Sequence, residues 1–277
     1  MTGSYNRLTQ SQYTRKKIEK QERMVIMDKK QQEKIKEMFA GSESSLFETD
    51  PEFTKLFLNF SQGEVPEKSR LTEKERLLCI LSVLLGCQGK GEFRHMLHGA
   101  LNTGLKPIAV KEVLYQGTAY LGIGRTYDFL EITNQVMKEH NIPLPLEAQG
   151  TTDENSRFDK GLEKQVALFG EGMAKRQTEG PVLRRNINRW LADNCFGDYY
   201  TRGGLNDQER EMITFCFILA QGGCENQLRG HTAGNFGAGN DKEKLYSVVE
   251  QCMPYIGYPR SLNAMGIIDE TAEKFEK

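Results

Sequence analysis

The chain has 277 residues and a net charge of −1, with 37 Lys and Arg against 38 Asp and Glu. That balance excludes a nucleic-acid binder held by bulk charge, and no long block of one sign marks a membrane-surface patch. No run approaches the roughly 18 apolar residues of a membrane span, and the start MTGSYNRLTQSQYTRKKIEK lacks the apolar core of a secretory signal. Six cysteines, at 79, 87, 195, 216, 224 and 252, form no CxxC pair; reduced thiols and a cytoplasmic location are expected.

Residues 1–45 read as a charged arm. Lys, Glu and Gln crowd residues 13–40, with Ile18, Met24, Ile26, Met27, Ile35 and Met38 as scattered apolar positions. This predicts a partly amphipathic helix, solvated and packed on a neighbouring subunit. Residues 46–143 then form a first unit. PEFTKLFLNF (51–60) has helical apolar spacing, and Pro51 suits a first turn. LTEKERLLCILSVLLG (71–86) has Thr72 and Glu75 as a capping box before a run that is apolar on most sides. GEFRHMLHGALNTG (91–104) stops at Gly104, a third helix opens at Pro107 and stops near Gly122, and a fourth covers 125–140. Nothing alternates with the period of a strand, so the unit reads as all-α.

LPLEAQGTTDENSR (144–157) has the prolines and small polar residues of an interdomain linker. Residues 158–277 repeat the order. PVLRRNINRW (181–190) answers the helix at Pro51, and LNDQEREMITFCFILAQGG (205–223) answers 71–86, with Asn206 and Glu209 as its capping box. Glu75-Arg76 matches Glu209-Arg210, and Tyr120/Gly122/Arg125 matches Tyr255/Gly257/Arg260. Order, caps and anchors together establish a tandem repeat.

The second copy carries GGCENQLRGHTAGNFGAGN (222–240), which places Cys224, Gln227 and His231 at i, i+3 and i+7, the spacing of one helical face. In the first copy the aligned positions are Gly89, Glu92 and Met96, with neither thiol nor imidazole. The first copy therefore reads as degenerate, and one site per chain is expected, in the second. His95 and His98 sit at i, i+3, but no third ligand is spaced to complete a metal site, and no cofactor is expected.

The L-(T/N)-x-x-E-R opening, GGCExQLxGH and YxGxPR resemble the carboxymuconolactone decarboxylase family, which includes the AhpD-like alkylhydroperoxidases. RFDKGLEKQVALFGEG (157–172) and FGDYYTRGGL (196–205) resemble the opening of its decarboxylase-type members. The resemblance implies an all-α fold of two tandem AhpD-like units. It also implies a homo-oligomer, here a trimer forming a pseudo-hexamer.

AhpD-like members use CxxCxxxH, and Gln227 stands where the second cysteine falls, so an intramolecular disulfide cannot form. The resemblance therefore implies a cofactor-independent decarboxylase acting on a small carboxylated lactone or unsaturated acid. His231 is the expected general acid/base, and Glu211 sets its tautomer or relays a proton. Arg202, Arg210 and Arg260, with Tyr255, are the candidates to bind the carboxylate substrate. A thiol peroxidase using Cys224 and His231 is the enzymatic alternative, and a non-catalytic scaffold the third.

Overall fold

The structure is a computed structural model describing residues 29–275 except Glu43 and Gly180, with side chains from Gln32 onward. Among the described residues every regular element is helical. Of the predicted arm helix, only Lys29–Met38 (α1) falls in this range; Ile18, Met24, Ile26 and Met27 lie outside it. The first copy continues with α2 (Pro51–Leu58), α3 (Glu73–Gly86), α4 (Lys90–Asn102), α5 (Pro107–Leu121) and α6 (Ile123–Glu139). After α7 (Arg157–Phe169) the second copy runs α8 (Arg185–Trp190), α9 (Asp207–Gln221), α10 (Glu225–Gly237), α11 (Lys242–Ile256) and α12 (Tyr258–Phe275).

Both predicted capping boxes are present. Thr72 and Asn206 each accept from the backbone three residues on, while Glu75 and Glu209 bond back to the cap amide. Each satisfies two donors that a helix start otherwise leaves open, which fixes where α3 and α9 begin. These two helices are nearly all buried because they pack on each other at the centre of the molecule. Leu78, Ile80, Leu81 and Leu85 of α3 share one apolar core with Phe215, Phe217 and Ile218 of α9. Each such side chain contributes about 1.5–3 kcal/mol when fully buried, so this seam outweighs any surface ion pair.

The copies are also exchanged around the seam. Helix α5 of the first copy packs on α9 of the second, and α11 of the second packs on α3 of the first. The halves therefore form one body, and the segment between them is no free spacer. Leu144 and Leu146 pack on the core, the Gly203 amide donates to Gln149 O (2.9 Å), and the Thr152 hydroxyl donates to Gly197 O (2.9 Å). The arm also departs from expectation: Ile35, Met38 and Phe39 are buried in this chain's own core, beside α4, rather than kept for a neighbour.

Sequence periodicity did not reveal that α2 and α8 each run on into π-helical turns, Asn59–Glu64 and Leu191–Tyr200. A π turn bonds i to i+5 and re-aims the side chains that follow it. In the second copy it lies against α7 through glycines: a Cβ on Gly161 would strike Ala192 O, and one on Gly197 would strike Arg157 O. That close backbone approach fixes where Cys195, Phe196 and Tyr200 enter the interior.

Candidate active site

His231 lies on α10 with its side chain only 14% exposed, and its Nδ1 is 2.9 Å from Glu211 Oε2 on α9. Glu211 is completely buried. An isolated buried carboxylate is prohibitively costly, so its partners define the site. The Tyr200 hydroxyl donates to Glu211 Oε1 (2.8 Å). That hydroxyl is in turn 2.8 Å from Thr214 Oγ1 and 3.0 Å from the Tyr120 hydroxyl, and the Cys195 thiol donates to Tyr120 (3.7 Å). The donors thus line up from Cys195 through Tyr120 and Tyr200 to Glu211. Burial pushes both tyrosine hydroxyls well above their ordinary range and the Cys195 thiol up to about 12, so all three stay protonated as donors.

The imidazole is held on its faces as well. Tyr120 and Phe169 stand edge-on to it, with centroids at 5.3 and 5.5 Å. The Asn235 side-chain amide donates to both His231 O (2.7 Å) and Glu211 O (3.0 Å), clamping α10 to α9. Gly234 is required here, because a Cβ would stand 2.5 Å from Glu211 Oε2. An ionised carboxylate only accepts, so Nδ1 carries the proton and Nε2 is left for chemistry. Two copies of the capped-helix unit, with a carboxylate–imidazole pair set into the second, match the carboxymuconolactone decarboxylase family over residues 51–135 and 186–270. The chain belongs to that family.

Among relatives of this carboxymuconolactone decarboxylase family member is 4-carboxymuconolactone decarboxylase of Acinetobacter baylyi. It is 28% identical over 119 residues, which make up 43% of this chain and 88% of the relative. A crystal structure from Burkholderia xenovorans, provisionally described as a gamma-carboxymuconolactone decarboxylase subunit, aligns with a TM-score of 0.50 and 18% identity. It covers 90% of this chain and 98% of that one; at that identity the likeness concerns the fold.

The other expected site residues of this family member are dispersed. Arg210, read as a carboxylate binder, is fully buried. Its guanidinium is committed to Gln116 Oε1 (2.7 Å), Glu112 Oε2 (3.1 Å) and the carbonyls of Arg202 and Gly203. Arg202 bonds both oxygens of the same Glu112 (3.0 and 3.1 Å) and borders a separate cleft. Arg260 donates to Ala220 O and packs on Gly222, closing the end of α9. Tyr255 of α11 reaches into the first copy's pocket, where its hydroxyl accepts from Gln62 Nε2 (3.2 Å) and lies 3.8 Å from Met96 Sδ. The exchange of α5 and α11 explains this: the tyrosine beside His231 is Tyr120.

Cys224 caps α10 from a non-helical conformation, shares a small recess with Arg260 and Leu228, and is two helical turns from His231, about 10 Å along the axis. Gln227, between them, is exposed. Cys216 is buried 3.7 Å from Cys252. His95 stacks on Phe39 and His98 bonds to His140, and no group among the described residues is arranged to hold a metal ion. No described helix is long and apolar enough to cross a membrane. Sequence reasoning missed Tyr120, Tyr200, Thr214, Cys195 and Phe169. The FGDYY stretch and the Tyr120 anchor were the available signals.

Proposed function

We propose that the chain is an acid/base enzyme of the decarboxylase type, acting without a cofactor on a small carboxylated lactone or unsaturated acid. The observation that carries this reading is the His231–Glu211 pair, buried and backed by a line of hydroxyl donors. In such a reaction the bond to the carboxylate carbon breaks, CO₂ leaves, and the electron pair moves into an adjacent unsaturated carbonyl. The carbanion so relieved takes up one proton, drawn from water: Nε2 of His231 would accept it from solvent and pass it to carbon while Nδ1–H stays on Glu211. The likeness to the Acinetobacter baylyi decarboxylase supports gamma-carboxymuconolactone as the first substrate to test. The thiol reading is less well supported, because Cys224 is two turns from the imidazole and has no second thiol beside it.

Purified protein is expected to consume this lactone with no addition, and His231→Ala to lower the rate by about 10²–10⁴-fold. Turnover unchanged in the variant would overturn the assignment. Inactivity of both proteins, with peroxide consumption lost on alkylation of Cys224, would replace it with the thiol reading.

Self-association of this chain is part of the proposal. Phe53 (60% exposed) on α2 matches Leu183 (95%) before α8, and Ile187 and Trp190 extend the second patch. An exposed apolar residue thus recurs at a matched position in each copy, as a ring of chains joined through alternating copies would use.

A further inference from the structure

Away from His231, a cavity of about 420 Å³ opens between α5, the 146–149 segment and the end of the second π turn. That volume suits a small molecule. Its walls include Lys111, Glu112 and Tyr115 of α5, with Tyr199 and Arg202 opposite. Tyr199 and Tyr200 are adjacent, yet Tyr200 bonds into the Glu211 network while Tyr199 lines this cleft. The two spaces are therefore lined by neighbouring residues of one turn but are separate.

The charges here are asymmetric in burial. Glu112 is 1% exposed and already answered by two guanidiniums, those of Arg202 and Arg210. Arg202 uses only Nε for this contact; among the described residues its two terminal nitrogens have no hydrogen-bond partner. Its guanidinium lies 5.1 Å from the centroid of the Tyr115 ring, which holds the plane in place. Lys111 is 7% exposed, and its ammonium donates to Asn134 Oδ1, one bond for three N–H groups. Burial lowers the Lys111 pKa, with the Glu131 carboxylate opposing, as expected of a cation short of partners. Of the other acids nearby, Glu131 and Glu147 are exposed to water, which screens them, and half-buried Asp198 beside Tyr199 is paired with Arg157.

We propose that this cleft binds a small organic carboxylate, taken by the terminal nitrogens of Arg202 with the Lys111 ammonium, its carbon body lying against Tyr115 and Tyr199. A guanidinium presenting two parallel N–H groups matches a carboxylate in a way a point charge does not. The aromatic walls favour a planar body over a bare inorganic anion. The site is independent of the reaction at His231 and stands or falls apart from it.

Calorimetric titration of the full chain with benzoate, at fixed ionic strength, tests this. Wild type is expected to bind one equivalent and Arg202→Gln to bind at least about 10-fold more weakly, the loss of one charge-assisted contact. Tyr115→Leu should bind a few-fold more weakly, and His231→Ala should bind as wild type does. Inorganic phosphate should compete poorly. Because Arg202 also braces Glu112, Lys111→Met and Tyr115→Leu carry the test if the Arg202 variant melts early. Unchanged affinity in these variants, loss of binding in His231→Ala alone, or no heat at tens of millimolar benzoate would each overturn the proposal.

Discussion

The two copies build the same pocket and fill it differently. In the second, Tyr120 stands beside His231, Tyr200 rises from the π turn, and Glu211 bonds both His231 and Tyr200. In the first, Tyr255 stands beside Met96, Gln62 rises from the π turn, and the position after the Glu75-Arg76 anchor is Leu77, 1% exposed. The frame survives in both: capped helix, π turn and crossing tyrosine. The acid and the base are absent from one side, where Leu77 and Met96, apolar side chains of similar size, stand in their places and Gln62 stands for Tyr200. A buried carboxylate without its imidazole would be an unpaired charge, so the two must be lost together. This comparison separates His231 and Glu211, which one copy alone carries and to which the proposed reading gives the chemistry, from Tyr120 and Tyr255, which both copies share.

The strongest way to break it is to make the second pocket like the first. Glu211→Leu, which copies Leu77, should leave the chain folded but reduce lactone turnover by about 100-fold or more. A fold-preserving variant that kept full activity would refute the pairing. A smaller contrast should separate the tyrosines. Tyr120→Phe removes one donor to Tyr200 and should slow turnover several-fold, about 1 kcal/mol for a neutral hydrogen bond. Tyr255→Phe, at the matching place in the other pocket, should leave turnover unchanged. Equal effects of the two would mean that both pockets work.

The capping boxes give a stability comparison within the same frame. Thr72→Ala and Asn206→Ala should each cost about 1 kcal/mol in a denaturant titration. Acid adds a signed effect. Burial raises the Glu75 pKa, but hydrogen bonds from Lys244 and Thr72 outweigh it and hold the carboxyl below its usual value of 4.5. Its contribution to stability is therefore complete above the unfolded value and lost as pH falls through the folded one. Unfolding free energies of Glu75→Gln and wild type, measured by denaturant titration at a series of pH values, should converge below that range and separate above it. The smallest expected effect is in thiol labelling of the native chain. Cys224 is half-buried and should react with iodoacetamide ahead of Cys79, Cys195, Cys216 and Cys252, which are buried. Mass spectrometry of the digested protein would show the order.

Helix positions, both capping boxes and the repeat register were legible in the sequence, because local hydrogen bonding and apolar spacing determine them. His231 and Glu211 were legible through their motif positions. What was not legible depends on chain crossing. Tyr255 follows His231 in the same copy, and nothing local to it says that α11 packs on the other copy's capped helix. The same applies to Arg210: its guanidinium fork suggested a carboxylate substrate, while its partners Glu112 and Gln116 lie about a hundred residues earlier. The π turns escaped notice because a widened turn keeps nearly the helical pattern of apolar residues while changing where the last of them points.

The crossing of α5 and α11 also bears on how such a protein can change over generations. Two separate, identical chains that exchanged these helices would carry every substitution twice, and losing one active centre would mean losing both. Joined in a single polypeptide, the halves accept substitutions independently. One pocket can then lack an acid and base while its half still supplies the other with Tyr120 and with Gln116, which donates to Thr214. On the proposed reading, the first half then helps to build a centre whose acid and base both lie in the second.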